Sequence, residues 1–314
     1  MHYSPNPMHI PDGFLSPVMA IVCWIITVIV VAIAIRKTNH TLGQKQIPLM
    51  GIMAAFIFAA QMINFPVAGG TSGHLLGGAL AAIVLGPWPA VLVMTAVIAL
   101  QGLLFQDGGL LVMGANILNM GILTAAVGYG IYRLVGNRGA AFKLTVAGLA
   151  AWLSVMAAAL ATSLELWLSG TALLQVVVPA MMLIHALIGI GEALITVAAL
   201  AFIMKVRPDI LSSNAEAAKG GMGWAAVGIL IALAVVVISP LASADPDGLE
   251  RVAENTGFLS AAQASPYSLI PNYTIPFLGA TPLSTIVAGA VGVLIVLAII
   301  YMLGKALSKP ANRT

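Results

Sequence analysis

Residues 8–17 are Met8-His9-Ile10-Pro11-Asp12-Gly13-Phe14-Leu15-Ser16-Pro17, and an unbroken apolar run over residues 18–35 follows directly. Eighteen residues are about the length that spans the hydrocarbon core of a bilayer, and this run stops at Arg36 and Lys37. A second loop of the same character, Gly69-Gly70-Thr71-Ser72-Gly73-His74, precedes another apolar segment. Each loop places one histidine among small residues, directly before or between hydrophobic segments. We therefore expect the functional site at these two loops.

The composition is that of an integral membrane protein. Hydrophobic residues make up 61% of the 314 residues and charged residues 7%, whereas soluble domains carry about a quarter charged residues. The single cysteine, Cys23, lies in an apolar run, which excludes a disulfide framework and a cysteine zinc site. We interpret it as a small buried hydrophobe.

Hydropathy predicts an all-α membrane protein of about nine transmembrane helices. The third segment is short, because 12 helical residues rise only about 18 Å, and we expect it to be broken or re-entrant and buried in protein. The predicted spans are residues 18–35, 47–64, 75–86, 88–105, 110–132, 144–168, 176–204, 224–241 and 285–303.

Loop charges predict that the N-terminus lies outside and the C-terminus in the cytoplasm. With this orientation Arg251 is the one cation on the outer side, as the positive-inside rule requires. The net charge of +3 is therefore a topology signal and does not indicate a nucleic-acid partner. The predicted inward cations are Arg36, Lys37, Lys45, Arg133, Arg138, Lys143, Lys205, Arg207, Lys219, Lys305, Lys309 and Arg313.

The predicted outer face carries histidines and carboxylates, which suits a metal cation and not an anion. Its residues are Met8, His9, Asp12, His74, Asp107, Asp245, Asp247, Glu250 and Glu254.

The remaining histidines have other interpretations. His40 lies in an inner basic loop and is expected to be solvated. His185 and Glu192 lie two turns apart on one helix face. They form either an intramembrane functional pair or a contact that braces helices.

A histidine at the second position of a chain has a special chemistry. The free amine, the amide nitrogen of residue two and its imidazole Nδ1 can chelate one metal, and one more imidazole completes four nitrogens in a plane. Such square-planar sites favour Ni(II) or Cu(II). In this sequence, however, Pro7 precedes Met8, so the nitrogen of Met8 is an amide.

Residues 8–17 (MHIPDGFLSP) resemble the N-terminal signature of the NikM/CbiM family, the substrate-binding subunits of energy-coupling-factor transporters for nickel and cobalt. Residues 70–79 (GTSGHLLGGA), 106–109 (QDGG), 114–120 (GANILNM) and 185–193 (HALIGIGEA) resemble the same family. Residues 245–250 (DPDGLE) resemble the PDGLE domain of the companion N subunit.

The resemblance implies a fused protein, with a NikM/CbiM-like domain of about seven helices over residues 8–215 and a PDGLE domain over 220–308. It implies metal ligation by the amine of Met8, by His9 and by His74. With residues 1–7 in place, the nitrogen of Met8 is an amide and that amine does not exist. We therefore favour translation that begins at Met8, with proteolytic processing before Met8 as the alternative. The pair Met1 and His2 could form the same chelate, but it lacks the Ile-Pro-Asp-Gly context.

Ligating histidines normally hydrogen-bond a second group through their other ring nitrogen. The candidates for this supporting role are Asp107, Asn116, Asn119, Thr71 and Ser72. For Thr71 and Ser72 the alternative is a helix cap after Gly73.

The chain has no P-loop sequence, so any ATP-driven step needs other subunits. The resemblance implies a membrane coupling subunit and two cytoplasmic ATPases. One docking surface is the small-residue stripe Gly51, Ala55 and Ala59, whose alternative is packing within the chain. We expect no resident cofactor and no enzymatic activity.

The predicted function is import of Ni(II), next Co(II), across a prokaryotic cell membrane. The competing class is an ATP-independent transporter or channel that relays ions through His185 and Glu192.

Overall fold

The computed structural model of the chain describes residues 9–43, 46–136, 138–207 and 223–308. Several sequence predictions fall outside these residues: those for His2, Met8, Lys45, Lys219, Lys309 and Arg313, and the boundary between 215 and 220.

The described chain is helical, with one small antiparallel hairpin, β1 (Phe65–Pro66) and β2 (Ser72–Gly73). Two π-helical segments interrupt the helices, Gln101–Phe105 after α4 and Ile117–Leu123 between α5 and α6, and such segments are frequent at functional sites. The helices are α1 (Pro17–Thr41), α2 (Ile47–Gln61), α3 (Gly78–Leu85), α4 (Pro87–Leu100), α5 (Met113–Asn116), α6 (Thr124–Tyr132), α7 (Ala140–Leu168), α8 (Leu174–Val206), α9 (Gly223–Ile238), α10 (Gly248–Thr256) and α11 (Pro282–Leu307). Short 3-10 turns lie at Arg133–Val135, Ser239–Leu241, Leu259–Ala261 and Pro271–Tyr273.

Seven of the helical segments in the described ranges are long and apolar enough to cross a membrane. The prediction of about nine spans included two segments that fall short of that length. Helix α2 has 15 residues and α3 has eight. The ends of the long helices follow local signals. Ser16 caps α1 by accepting a hydrogen bond from the Met19 amide, and proline occupies the first position of α1, as is common there.

The short third segment is broken, as its length predicts. Residues 74–77 have no regular secondary structure, and α3 begins only at Gly78. The carboxylate of Glu192 on α8 accepts hydrogen bonds from the Leu76 and Gly77 amides at 2.6 and 2.9 Å. Gln61 donates to the Leu76 carbonyl at 2.8 Å. Non-helical backbone is tolerated at membrane depth when protein groups satisfy it in this way.

Helix α2 packs against α9, α11 and α4 in the interior of the bundle. Gly51, Ala55 and Ala59 are buried, and a methyl group on Gly51 would lie 3.3 Å from the Leu297 side chain of α11. The small-residue stripe is therefore used for packing within the chain. The interpretation of this stripe as a docking surface for another subunit is wrong for this fold.

The two ends of the bundle differ in charge. The loops that carry His9, His74 and Asp107 meet at one end, where α1, α5, α8 and α11 begin. Among the described residues, every lysine and arginine except Arg251 lies at the opposite end. The histidine and carboxylate groups are therefore separated from the cations by the length of the helices.

Candidate metal centre

The segment that follows Met8 is fixed to the loop before α5. The Asp12 carboxylate accepts hydrogen bonds from the amides of Leu110, Leu111 and Val112 at 3.0, 2.9 and 3.2 Å. A methyl group on Gly109 would lie 2.3 Å from the Asp12 amide nitrogen, so glycine is required for this approach. Asp12 therefore anchors the segment to the start of a helix.

Asn116 holds the residue next to His9. Its carboxamide accepts a hydrogen bond from the Ile10 amide at 3.0 Å and donates to the Ile10 carbonyl at 3.1 Å. The hydrogen bonds of Asn116 are thus made with the backbone beside His9 and not with the imidazole.

The loop that carries His74 is held by the hairpin and by the region after α9. The Ser72 hydroxyl donates to the Asp245 carbonyl at 2.7 Å, and the Ser72 amide donates to the Pro246 carbonyl at 2.9 Å. Ser72 lies in β2, and the cap residue of α3 is Gly77. The expectation that Thr71 or Ser72 caps that helix is therefore wrong, because the hairpin delays the helix start.

The two predicted ligand histidines lie side by side. The ring centroids of His9 and His74 are 5.6 Å apart with an interplanar angle of 70°, and only 3% and 8% of the two residues are exposed. Nδ1 of His9 lies 2.9 Å from the Asp107 carbonyl oxygen, and Nδ1 of His74 lies 3.0 Å from the Leu75 carbonyl oxygen. A carbonyl only accepts hydrogen bonds, so in both rings Nδ1 carries a proton.

The protonation state of His9 suits a metal ligand. Burial lowers the pKa of His9 and outweighs the nearby Asp107, so the ring is neutral at pH 7. Its Nε2 is buried and has no hydrogen-bond partner. The chelate predicted from the sequence uses Nδ1 instead, and it requires His9 to release the Asp107 carbonyl.

A cavity of about 70 Å³ adjoins both histidines. This volume holds a few water molecules, and therefore also a dehydrated ion with its remaining ligands. A third imidazole, that of His185, lines the same cavity, and its Nδ1 lies 2.8 Å from the Met181 carbonyl oxygen. Asn119 and Asp247 contribute polar groups to the wall.

Asp247 and Gly248 belong to the motif at residues 245–250. Asp247 caps α10 by accepting a hydrogen bond from the Glu250 amide at 2.7 Å, and Gly248 follows as the first helical residue. A methyl group on Gly248 would lie 2.9 Å from Cε1 of His185. Burial raises the pKa of Asp247 to about 7, while the nearby His74 opposes this shift. The motif therefore brings a carboxyl group and a closely packed backbone onto the histidine cavity.

The segment between α9 and α11, which we call the outer loop (residues 242–281), covers this end of the bundle. The Gln263 amide donates to the Asp12 carbonyl at 2.7 Å, and the Arg251 guanidinium donates to the Gly70 carbonyl. The Tyr273 hydroxyl donates to the Asp107 carboxylate at 2.7 Å. Both predicted site loops and Asp107 are therefore in contact with a single segment. Sequence reasoning missed Tyr273, because its sequence neighbours carry no signal of a site.

Three other predicted residues have hydrogen-bond partners away from His9 and His74. Asn119 donates to the Glu165 carboxylate at 2.7 Å and to the Thr162 hydroxyl at 3.2 Å, although it lines the cavity. Glu192 binds the backbone before α3, and His185 binds its own helix. Glu192 therefore braces the His74 loop.

The described residues do not contain three His, Cys, Asp or Glu side chains placed to hold one metal ion. Two neighbouring imidazoles need further nitrogen or oxygen ligands to bind a transition metal firmly. The predicted amine ligand, that of Met8, lies outside the described residues.

Two family models match the chain. Residues 9–210 match the CbiM family, described as the cobalt uptake substrate-specific transmembrane region, and residues 222–309 match the PDGLE domain. Among relatives, a protein of Archaeoglobus fulgidus that bears the name NikMN, for a fused nickel transport protein, is 38% identical over 307 residues. That alignment covers 95% of this chain and 98% of the relative.

Further relatives carry both metals in their names. The fused nickel transport protein NikMN of Rhodobacter capsulatus is 32% identical, over 93% of this chain and 95% of that protein. The cobalt transport protein CbiM of Sorangium cellulosum is 36% identical, over 65% of this chain and 94% of that protein. A crystal structure of a transition metal transporter is 37% identical, with a TM-score of 0.59, and covers 68% of this chain and 100% of that chain.

Proposed function

The chain belongs to the CbiM family and carries a PDGLE domain, and we propose that it is the substrate-binding component of an energy-coupling-factor importer for transition-metal cations. As a member of this family, the chain is a multi-pass membrane component of nickel and cobalt transport and not an enzyme. Beyond family membership, we propose an ATP-driven mechanism, a set of metal ligands and a preferred metal.

The observation that carries the proposal is the pair of neighbouring imidazoles in a buried cavity. His9 and His74 line one small cavity, and the Nε2 of His9 is buried without a hydrogen-bond partner. A buried nitrogen without a partner is costly, and a cation that binds it removes this cost. Asp107 and Asp247 close by supply negative charge for a divalent ion.

We assign the ligands as the amine of Met8, His9 and His74, with Asp107, Asn116, Asn119, Thr71 and Ser72 in support. His185 and Glu192 brace the site from α8. The amine requires that the mature chain begins at Met8. The two domains are proposed to cover residues 8–215 and 220–308.

Nickel is the proposed substrate, with cobalt next, because four nitrogens in a plane suit Ni(II), an arrangement that His9 reaches by turning Nδ1 from the Asp107 carbonyl to the metal. Relatives that align over nearly the whole chain, including its PDGLE domain, are named for nickel. The separation of the described cations from the histidine end supports an outer metal site. Nine crossings, counting α2 and the segment of α3, then place the C-terminus in the cytoplasm of a prokaryotic cell.

A membrane coupling subunit and two ATPases are the proposed partners, since the chain has no P-loop. The competing relay through His185 and Glu192 finds less support. Glu192 is committed to two backbone amides, and His185 to a carbonyl of its own helix.

The test is nickel binding and nickel uptake by His74→Ala. Loss of one of two neighbouring imidazoles should lower nickel affinity at least about 100-fold and abolish uptake at low metal concentration. The matched control is His40→Ala, because His40 is exposed near the end of α1 away from the site. Unchanged uptake by His74→Ala would refute the metal site, and uptake that persists without the ATPases would refute the importer class.

A further inference from the structure

Glu165 is a buried acidic residue that the sequence-based site prediction does not include. It lies near the end of α7, and 7% of it is exposed. An ionisable side chain in a membrane-spanning helix is costly and is a candidate for function by default. Arg251, the one described cation at this end of the bundle, pairs instead with Glu254. Glu165 is therefore not explained by an ion pair with a lysine or arginine of the described chain.

Hydrogen bonds from two other elements hold Glu165. The Asn119 carboxamide donates to its Oε2 at 2.7 Å, and the Cys23 thiol of α1 donates to its Oε1 at 3.6 Å. Asn119 lies in the π-helical segment Ile117–Leu123, and such segments are frequent at functional sites. Asn119 also lines the histidine cavity. A direct contact therefore connects Glu165 to the wall of the proposed metal site.

The contacts of Asn119 define which way its carboxamide faces. Its Nδ2 donates to Glu165 and, at 3.2 Å, to the Thr162 hydroxyl, so both amino hydrogens are used. Its Oδ1 is buried and has no hydrogen-bond partner in the described part of the chain. A threonine hydroxyl can donate or accept, so Thr162 is compatible with either orientation of the carboxamide. The Glu165 oxygen accepts, and it therefore selects the orientation.

We propose that Glu165 is a positioning residue for metal binding, which holds the Asn119 carboxamide with its oxygen, and not its amino group, towards the cation in the histidine cavity. This inference rests on the proposed function, in which that cavity binds a transition-metal cation. It adds to the site a residue that is not itself a metal ligand.

The physical reason is the dipole of a carboxamide. The oxygen end attracts a cation, or the N–H and O–H groups of the ligands around it, whereas the amino end repels a cation. Both interactions are stronger in a buried cavity than in water. Without an acceptor at Glu165 the amino end of Asn119 is free to turn towards the cavity. A cation must then reverse the carboxamide before it gains this interaction.

Three variants separate this role from a structural one. Glu165→Leu removes the acceptor, and Asn119→Ala removes the carboxamide. The double variant removes both partners together, so neither is left buried without its hydrogen bond, and it should fold even if a single variant does not. The matched control is Ser163→Ala, because Ser163 is also buried on α7 but its hydroxyl donates to the Ala159 carbonyl of its own helix.

The first measurement is titration of the purified full-length proteins with Ni(II) in competition with a chromophoric chelator. Loss of a group that supports a metal site typically lowers metal affinity about 10-fold or more, so Glu165→Leu should lose about 10-fold while Ser163→Ala stays within about twofold. Asn119→Ala should lose as much as Glu165→Leu. The double variant should lose no more than either, since the effects of coupled residues are not additive.

The second measurement is difference infrared spectroscopy of protein labelled with carbon-13 at the side-chain carbonyl of asparagine. Nickel should lower the stretching frequency of one labelled carbonyl in the wild type, because a cation polarises the oxygen that faces it. This signal should be absent in Asn119→Ala, weaker in Glu165→Leu and retained in Ser163→Ala. A merely structural role of Glu165 would leave the signal unchanged in Glu165→Leu.

Four results overturn the inference: wild-type affinity in Glu165→Leu, an equal loss in Ser163→Ala, a greater loss in the double variant than in either single variant, or an infrared signal that does not depend on Asn119 and Glu165. His74→Ala is titrated in parallel. If His74→Ala binds nickel as the wild type does, the proposed metal site fails, and this inference fails with it. If His74→Ala loses binding while Glu165→Leu does not, only the role of Glu165 is refuted.

Discussion

Asp247 allows a prediction about pH, because its carboxyl lines the histidine cavity and burial raises its pKa to about 7. A group with a raised pKa is protonated below pH 7 in the metal-free protein. A divalent cation in the same cavity favours the ionised form, so metal binding expels this proton. We therefore expect nickel affinity to rise between pH 6 and about pH 8 and proton release to accompany binding. Calorimetry in buffers of different ionisation enthalpy measures that release.

Asp247→Asn should flatten this pH dependence above pH 6.5 and reduce the proton release. Asparagine is as good a helix cap as aspartate, so α10 should be preserved. Asp245→Asn, an exposed change in the same motif, is the control and should behave as the wild type. An identical pH profile for Asp247→Asn and the wild type would show that Asp247 does not sense the metal.

At the residue level, the sequence predicted two site histidines, which the structure brings side by side, but not their environment. His9 and His74 are recognisable because histidine beside glycine at the mouth of an apolar segment is unusual. Tyr273 donates to Asp107 across 166 positions of sequence, and no periodicity or spacing connects them. Asp247 could have been recognised as a cap, since Asp-Gly-Leu-Glu matches the spacing of a capping box. Its burial against the cavity depends on tertiary packing.

The irregular stretch before α3, residues 74–77, depends on Glu192, which is fully buried and accepts hydrogen bonds from the Leu76 and Gly77 amides. Glu192→Gln replaces one acceptor oxygen with a donor, which cannot bind an amide. We expect a loss of about 1.5–3 kcal/mol in the free energy of unfolding. Nickel binding should weaken as well, because His74 is the first residue of this stretch. Thermal unfolding in detergent and nickel titration measure both effects.

A matched control lies one turn further along α8. The Thr196 hydroxyl is buried and has no hydrogen-bond partner, so Thr196→Val removes a polar group that makes no bond. This variant should be as stable as the wild type or more stable. Equal stability of Glu192→Gln and Thr196→Val would mean that the carboxylate does not support the loop.

At the level of elements, hydropathy located the long helices well, because membrane spans require unbroken apolar runs. The seven long helical segments lie close to predicted spans. The break before α3 was also foreseeable from length. The side chains that hydrogen-bond the backbone at this break could not be predicted, because Glu192 and Gln61 come from other helices. The packing face of α2 was equally ambiguous, since a small-residue stripe serves either within a chain or between chains.

At the scale of the whole molecule, the PDGLE domain packs closely on α2 through α9 and α11. Glycines of α9 and α11 receive the side chains of α2. Methyl groups on Gly228, Gly292 and Gly304 would lie 2.4 Å from Ile52, 2.1 Å from Phe58 and 2.7 Å from Ile47. Small residues permit such close approach between helices in membranes. The same domain covers the histidine cavity through the outer loop, so docking of the helices and closure of the site are parts of one interface.

This interface predicts the behaviour of a chain divided between residues 215 and 220. The two polypeptides, made together with one of them tagged, should co-purify, because the packing on α2 does not depend on a covalent link. Gly292→Leu should lower recovery of the untagged partner, since its side chain must displace Phe58 and overpacking costs about 1–3 kcal/mol or more. Gly130→Leu is the control, because nothing lies within 4 Å of that position. Recovery unaffected by Gly292→Leu would mean that the outer loop alone joins the domains, and nickel binding should then survive loss of the helix contact.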